Sequence, residues 1–130
     1  MDTVEAPKYP LTISQDAIDC IIEMAGYGIS YWAVSATQLT EARTYTVIDS
    51  DDQKEYVLSY EKIVESFWDL ANFAKQIKGA SLASYVRKYI IAAMADGLRN
   101  GGSDIEAGHI DAEAADMIIQ YACFGEIVYG

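Results

Sequence analysis

The chain reads as a single α+β domain: a three-stranded antiparallel sheet carrying about four helices, in two layers. Three observations predict this. Apolar residues recur at helical spacing in four separate segments. Between the first and second of these, three short runs alternate β-branched and aromatic residues with polar ones. The order helix, three strands, then three helices keeps the strands together, as an α+β domain does. The 130 residues suit one domain, 1–130, with 1–10 read as a flexible tail or extended edge.

Thr12 or Ser14 can cap the first helix, and Asp16 suits its first turn. Ala17, Ile18, Ile21, Ile22 and Ala25 form its inward stripe. Gly26 and Gly28 mark its end or a close backbone contact. Strands are expected over 31–37, 44–49 and 55–59, with turn chemistry in Ser50-Asp51-Asp52-Gln53 and a wider loop over 38–43. Ser59 caps a second helix over roughly 60–78, with Ile63, Phe67, Leu70, Ala74 and Ile77 inward and Val64 and Trp68 widening the stripe. Lys75 and Lys78 suit its last turn, and Gly79 its end. Ser81 caps a third helix to about Leu98, with Leu82, Val86, Tyr89, Ile90, Ala93 and Leu98 facing in. Asn100-Gly-Gly-Ser103 stops it. Asp111 caps a fourth helix that buries Ala114, Ala115, Ile118, Ile119, Ala122 and Cys123 and ends at Gly125. The segment 118–130 stays apolar throughout, so it is expected to pack into the core or to meet a partner.

Composition narrows the function. A net charge of −11 opposes direct binding to nucleic acid or to an anionic membrane, and favours a basic protein partner or simple solubility. No apolar leader or run of membrane-spanning length is read in the sequence, so a cytoplasmic protein is expected. Cys20 and Cys123 are expected as small core residues in a reducing compartment. The charge is uneven: Lys75, Lys78, Arg87, Lys88 and Arg99 cluster, while Asp104, Glu106, Asp111, Glu113, Asp116 and Glu126 follow with no Lys or Arg among them. The two segments can complement each other within one chain or across a twofold homodimer.

Chemistry-bearing motifs are scarce. Asp49-Ser-Asp51-Asp52-Gln-Lys-Glu55 has the look of a calcium loop, but Lys54 and Tyr60 stand where such a loop needs Gly and Glu, so a solvated turn is expected. His109 is the sole histidine and sits among acids. Without a second His or a Cys cluster, no metal site is assigned, and a surface group sensitive to pH is expected. No serine sits in a nucleophile elbow, and the glycines match neither a Walker loop nor a dinucleotide fingerprint. No catalytic residue, cofactor or metal is assigned.

Tyr27, Tyr31, Trp32, Tyr85, Tyr89, Tyr121 and Tyr129 are abundant for one small core. They either line the helix–sheet seam or form an exposed patch.

Gly26-Tyr-Gly-Ile-Ser-Tyr-Trp32 and the ending Gln120-Tyr-Ala-Cys-Phe-Gly-Glu-Ile-Val-Tyr-Gly130 resemble segments of small uncharacterised bacteriophage and prophage proteins. The resemblance brings no catalytic residues. It implies a small viral protein that occupies a host protein's surface, as anti-defence and anti-CRISPR inhibitors do.

The expectation is therefore a non-enzymatic, acidic binding module that blocks a basic site on a host protein. Its contact surface is expected at Asp49, Asp51, Asp52 and Glu55, with Asp104, Glu106 and Asp116. The alternative is a small-molecule-binding protein or enzyme with an aromatic pocket around Tyr27, Tyr31 and Trp32.

Overall fold

The computed structural model describes residues 11–72, 80–99, 101 and 104–129, without the side chains of 80–84. In chain order it contains α1 (Gln15–Gly28), β1 (Ala33–Leu39), β2 (Thr44–Asp49), β3 (Glu55–Ser59), α2 (Tyr60–Ala71), α3 (Ala80–Arg99), a 3-10 turn (Ala107–His109) and α4 (Ala112–Phe124). The strands form one antiparallel sheet in the order β1-β2-β3. The expected α+β class, three-stranded meander and four helices are all present.

Local chemistry sets most of the boundaries. Ser14 starts α1, its Oγ accepting from the Ala17 N–H at 3.1 Å. Ser59 does the same for α2 with the Lys62 N–H at 3.1 Å, and Asp111 for α4 with the Ala114 N–H at 2.7 Å. These side chains satisfy donors that the first helical turn leaves unpaired. Gly125 closes α4 in the left-handed region at φ 73°, and its N–H reaches the Tyr121 carbonyl at 2.8 Å.

The first strand starts later than the expected residue 31. The Ile29 carbonyl accepts from both the Trp32 and Ala33 N–H groups, so Tyr31 and Trp32 lie in a turn that continues the end of α1. A close contact fixes that end. A Cβ on Gly28 would collide with the Ala112 carbonyl oxygen, so glycine lets α1 meet the start of α4.

In α2, helical structure is described only to Ala71, and Asn72 is extended. Arg87 of α3 stands at this end, donating to the Leu70 carbonyl at 2.7 Å and the Asn72 carbonyl at 3.0 Å. A cation is favourable at a helix C-terminus. The expected roles of Ala74, Lys75, Ile77, Lys78 and Gly79 lie outside the described residues, as do the side chains of Ser81 and Leu82.

Two expected core positions face out. Leu98 is exposed near the end of α3, and Cys20 is exposed on α1 because the stripe Ala17, Ile18, Ile21, Ile22, Ala25 turns it away from the core. Cys123 is half-buried, and burial pushes its thiol up to about 12.

Helix α4 is the hub, packed against α1, α2 and α3 and touching β3. Every residue from Ala114 to Ala122 is buried, Asp116 and Gln120 included. A helix buried on all sides has no solvent face on which to place its polar residues.

The sheet offers this hub one face. Tyr45, Val47 and Leu58 point inward and are buried, while Thr37 and Val57 on the other face are exposed. The C-terminal segment packs inward as expected: Ile127 is buried, and Tyr129 stacks on Trp32 with centroids 5.5 Å apart.

Candidate binding surface

The acids expected on one contact surface divide into two sets. Asp116 is buried in α4 and accepts from the Trp32 Nε1–H at 2.7 Å, the Tyr31 hydroxyl at 2.8 Å and the Gln120 amide at 3.0 Å. Burial pushes its carboxyl above the ordinary range, and the three donors pull partly back. Burial, together with the same Asp116 bond, pushes the Tyr31 hydroxyl well up.

Asp49 is buried at the end of β2. It accepts from the Asp51 N–H at 2.9 Å and from the Tyr129 hydroxyl at 3.2 Å. Asp104 is half-buried and accepts from the Ser14 and Ile105 N–H groups, each at 3.0 Å, and from the Ser14 hydroxyl. It thus braces the cap of α1 across a long sequence separation. Asp49, Asp104 and Asp116 are structural acids turned toward the protein's own donors, which corrects their expected place on the contact surface. Asp51, Asp52, Glu55 and Glu106 are exposed.

Other polar groups are absorbed by the fold. Asp111 adds a bond from the Tyr85 hydroxyl at 2.9 Å to its capping role. His109 Nε2 meets Asp96, which also pairs with Arg99. No group of three or more His, Cys, Asp or Glu side chains converges on a cation position among the described residues.

The aromatic trio of the alternative reading is split between surface and core. Tyr27 is 74% exposed and Tyr31 57%, whereas Trp32 is 1% exposed. Phe124 and Tyr129 close over the indole at 5.4 and 5.5 Å between centroids. A recess of about 320 Å³ beside Tyr31 is lined by Gly28, Ala112, Glu113 and Met117, and Trp32 is absent from its walls.

A larger concavity lies where sequence reasoning placed nothing. A groove of about 730 Å³ separates α1 from β1. Asp19, Ile22, Glu23 and Gly26 form its helical wall at helical spacing, and β1 forms the other. The groove exists because the helical layer does not cover the edge strand. Ala36 pairs with buried Val47 and faces the same way, yet Ala36 itself is exposed.

At one end, Gln38 donates to Asp19 at 2.9 Å and to the Tyr60 hydroxyl at 2.7 Å, and that hydroxyl donates to Asp19 at 2.7 Å. This cluster ties β1 to α1 and sets the spacing of the walls. Glu23 is exposed and has no cation partner among the described residues. Residues 11–42, which supply both walls, contain Asp16, Asp19, Glu23 and Glu41 and no Lys or Arg. That gap in basic residues is the sequence signal for the sign of the groove's charge.

The acidic hairpin 50–54 adjoins the first end of β1, where the Ser50 N–H and hydroxyl donate to the Trp32 carbonyl at 2.8 and 2.7 Å. Asp51 and Asp52 are exposed in this hairpin, beside Lys54.

No protein-family model, curated protein or solved structure matches this chain. No helix among the described residues is long and apolar enough to cross a membrane.

Proposed function

We propose that the chain is a non-enzymatic binding module that occupies a basic site on a partner protein. Its contact surface is the acidic face running from the hairpin acids Asp51, Asp52 and Glu55 to Glu23 in the α1–β1 groove. One observation carries the reading: the described residues that line the groove include Asp19 and Glu23 and no Lys or Arg, which gives the −11 charge a concave outlet there. A concave surface of one sign attracts the opposite sign, speeds encounter and excludes like-charged partners.

The resemblance of 26–32 and 120–130 to small phage proteins supports a host protein as that partner, with the chain acting as an inhibitor in the host cytoplasm. Anti-CRISPR inhibitors belong to the class the resemblance implies.

The test is capture from a bacterial lysate at low salt, comparing the wild-type chain with a D51K/D52K/E55K/E23K variant. All four side chains are exposed, so the variant should keep its fold. The reading predicts a partner held by the wild type and released by the variant. Equal retention by both refutes it.

A further inference from the structure

We infer that the outer edge of β1 is a docking strand for an extended, basic segment of a partner protein, which adds as a fourth strand and lays Lys or Arg side chains into the α1–β1 groove. This rests on the proposed reading of the acidic face as a binding surface. It goes further by naming the backbone edge and the shape of the ligand.

The first observation is the edge itself. Strand β1 pairs with β2 on one side, and no other strand pairs with it among the described residues. Residues 34–37 are all exposed, Val34 at 55%, and Leu39 is exposed at 54%. An edge strand presents unpaired N–H and C=O groups, and proteins usually blunt it with charge, proline or a bulge. The strand reads Ala-Val-Ser-Ala-Thr-Gln-Leu, without charge or proline. Its register shift lies between Ala33 and Ser35, so Ser35 to Leu39 remain in regular register and open to pairing.

The second observation is what flanks the edge. In an added strand, alternate side chains would point to the α1 side. There they would meet Glu23 and Asp19 over a floor kept low by Ala33 and Ala36. The other alternate side chains would lie beside Ser35, Thr37 and Leu39, which accept polar or β-branched neighbours. The ligand is therefore a strand of about seven residues with a cation at every second position.

Charge decides between possible occupants. A second copy of the chain pairing β1 to β1 would bring its own Asp19 and Glu23 toward the same acids. Like charges brought together at an interface oppose association. A basic strand has the opposite sign.

The probe is a capped seven-residue peptide alternating lysine and threonine, titrated against the full chain by fluorescence anisotropy. Amide hydrogen exchange is read at 35–39. The expected result is binding with slowed exchange in β1. Binding should weaken about threefold to fivefold with E23K, in line with one partly screened ion pair. It should weaken about tenfold or more when the peptide backbone is N-methylated, since that removes the strand's donors. The melting temperature of E23K, expected to be unchanged, checks its fold.

Absence of binding, or equal binding by the N-methylated peptide, overturns strand addition. So does unchanged β1 exchange on a charge-dependent complex, but that outcome leaves the acidic-surface reading standing. A doubled mass with β1 protected before peptide is added also overturns it, in favour of self-pairing. Failure of the acidic reading is seen separately, in the lysate comparison.

Discussion

The indole N–H of Trp32 donates to the Asp116 carboxylate at 2.7 Å, joining the turn before β1 to the centre of α4. Both side chains are buried, and Tyr31 and Gln120 complete the carboxylate's shell. Gln120 passes the connection on, because its Oε1 accepts from the Val128 and Tyr129 N–H groups at 2.9 and 2.7 Å. One carboxylate and one amide thus hold the sheet entrance and the C-terminal segment to the same helix.

Replacing Asp116 with Ala should destabilise the fold by about 2–3 kcal/mol, because it strands the buried indole N–H of Trp32 and takes one acceptor from the Gln120 amide, which keeps the Tyr129 carbonyl. Chemical denaturation measures this directly. A loss within about 0.5 kcal/mol, as for an ordinary surface substitution, would show that the network contributes little.

The protonation of Asp116 gives a pH signature of defined sign. Its folded pKa is raised by burial, so between the ordinary carboxylate range and that raised value the native state binds more protons than the unfolded state. This residue's contribution to stability therefore falls as pH rises through that window and is greatest below it. An Asn at this position does not titrate. The melting temperature of D116N relative to wild type should move in the variant's favour as pH is raised from acid to neutral. A difference that stays constant, or moves the other way, contradicts the assignment.

Removing residues 127–130 should cost about 3–5 kcal/mol. Buried Ile127 contributes about 2 of this, and loss of the Tyr129–Trp32 stack adds about 1. The rest is Gln120 Oε1 losing both of its backbone donors. Thermal unfolding reads the change, and an unaltered midpoint would mean that the segment is dispensable.

The Tyr45 hydroxyl is buried with no hydrogen-bond partner among the described residues, and burial pushes its pKa up to about 12. Tyr45→Phe removes an unsatisfied polar atom while keeping the ring. It should raise stability by about 1 kcal/mol in denaturant titration. A loss of similar size would reveal a bond to that hydroxyl.

The helix starts were legible because each rests on local chemistry. Ser14, Ser59 and Asp111 cap the helices that follow them, and Gly125 takes the backbone angle that glycine tolerates best. Gly28 was legible as a close contact, though its neighbour at Ala112 was not. Asp116 was misplaced because an acid in a helix ordinarily faces water, and single-helix periodicity does not reveal a helix covered on all sides. The available signal was the isolation of Asp116 and Gln120, one turn apart, in an otherwise apolar run. Arg87 was expected to answer the acidic C-terminal third, within one chain or across a dimer axis. It caps α2, a role that depends on where α3 crosses that helix. The groove was missed because the sequence of β1 does not say whether a helix covers it. The absence of Lys and Arg from 11–42 was the visible trace of its charge.

The central claim is that the acidic face drives association with a basic partner. The most direct measurement is the association rate of the captured partner, recorded for wild type and the D51K/D52K/E55K/E23K variant over a range of ionic strength. The account predicts a wild-type rate that falls steeply with salt and a variant rate that is slower at low salt and less affected by it. A rate indifferent both to salt and to charge reversal would contradict it.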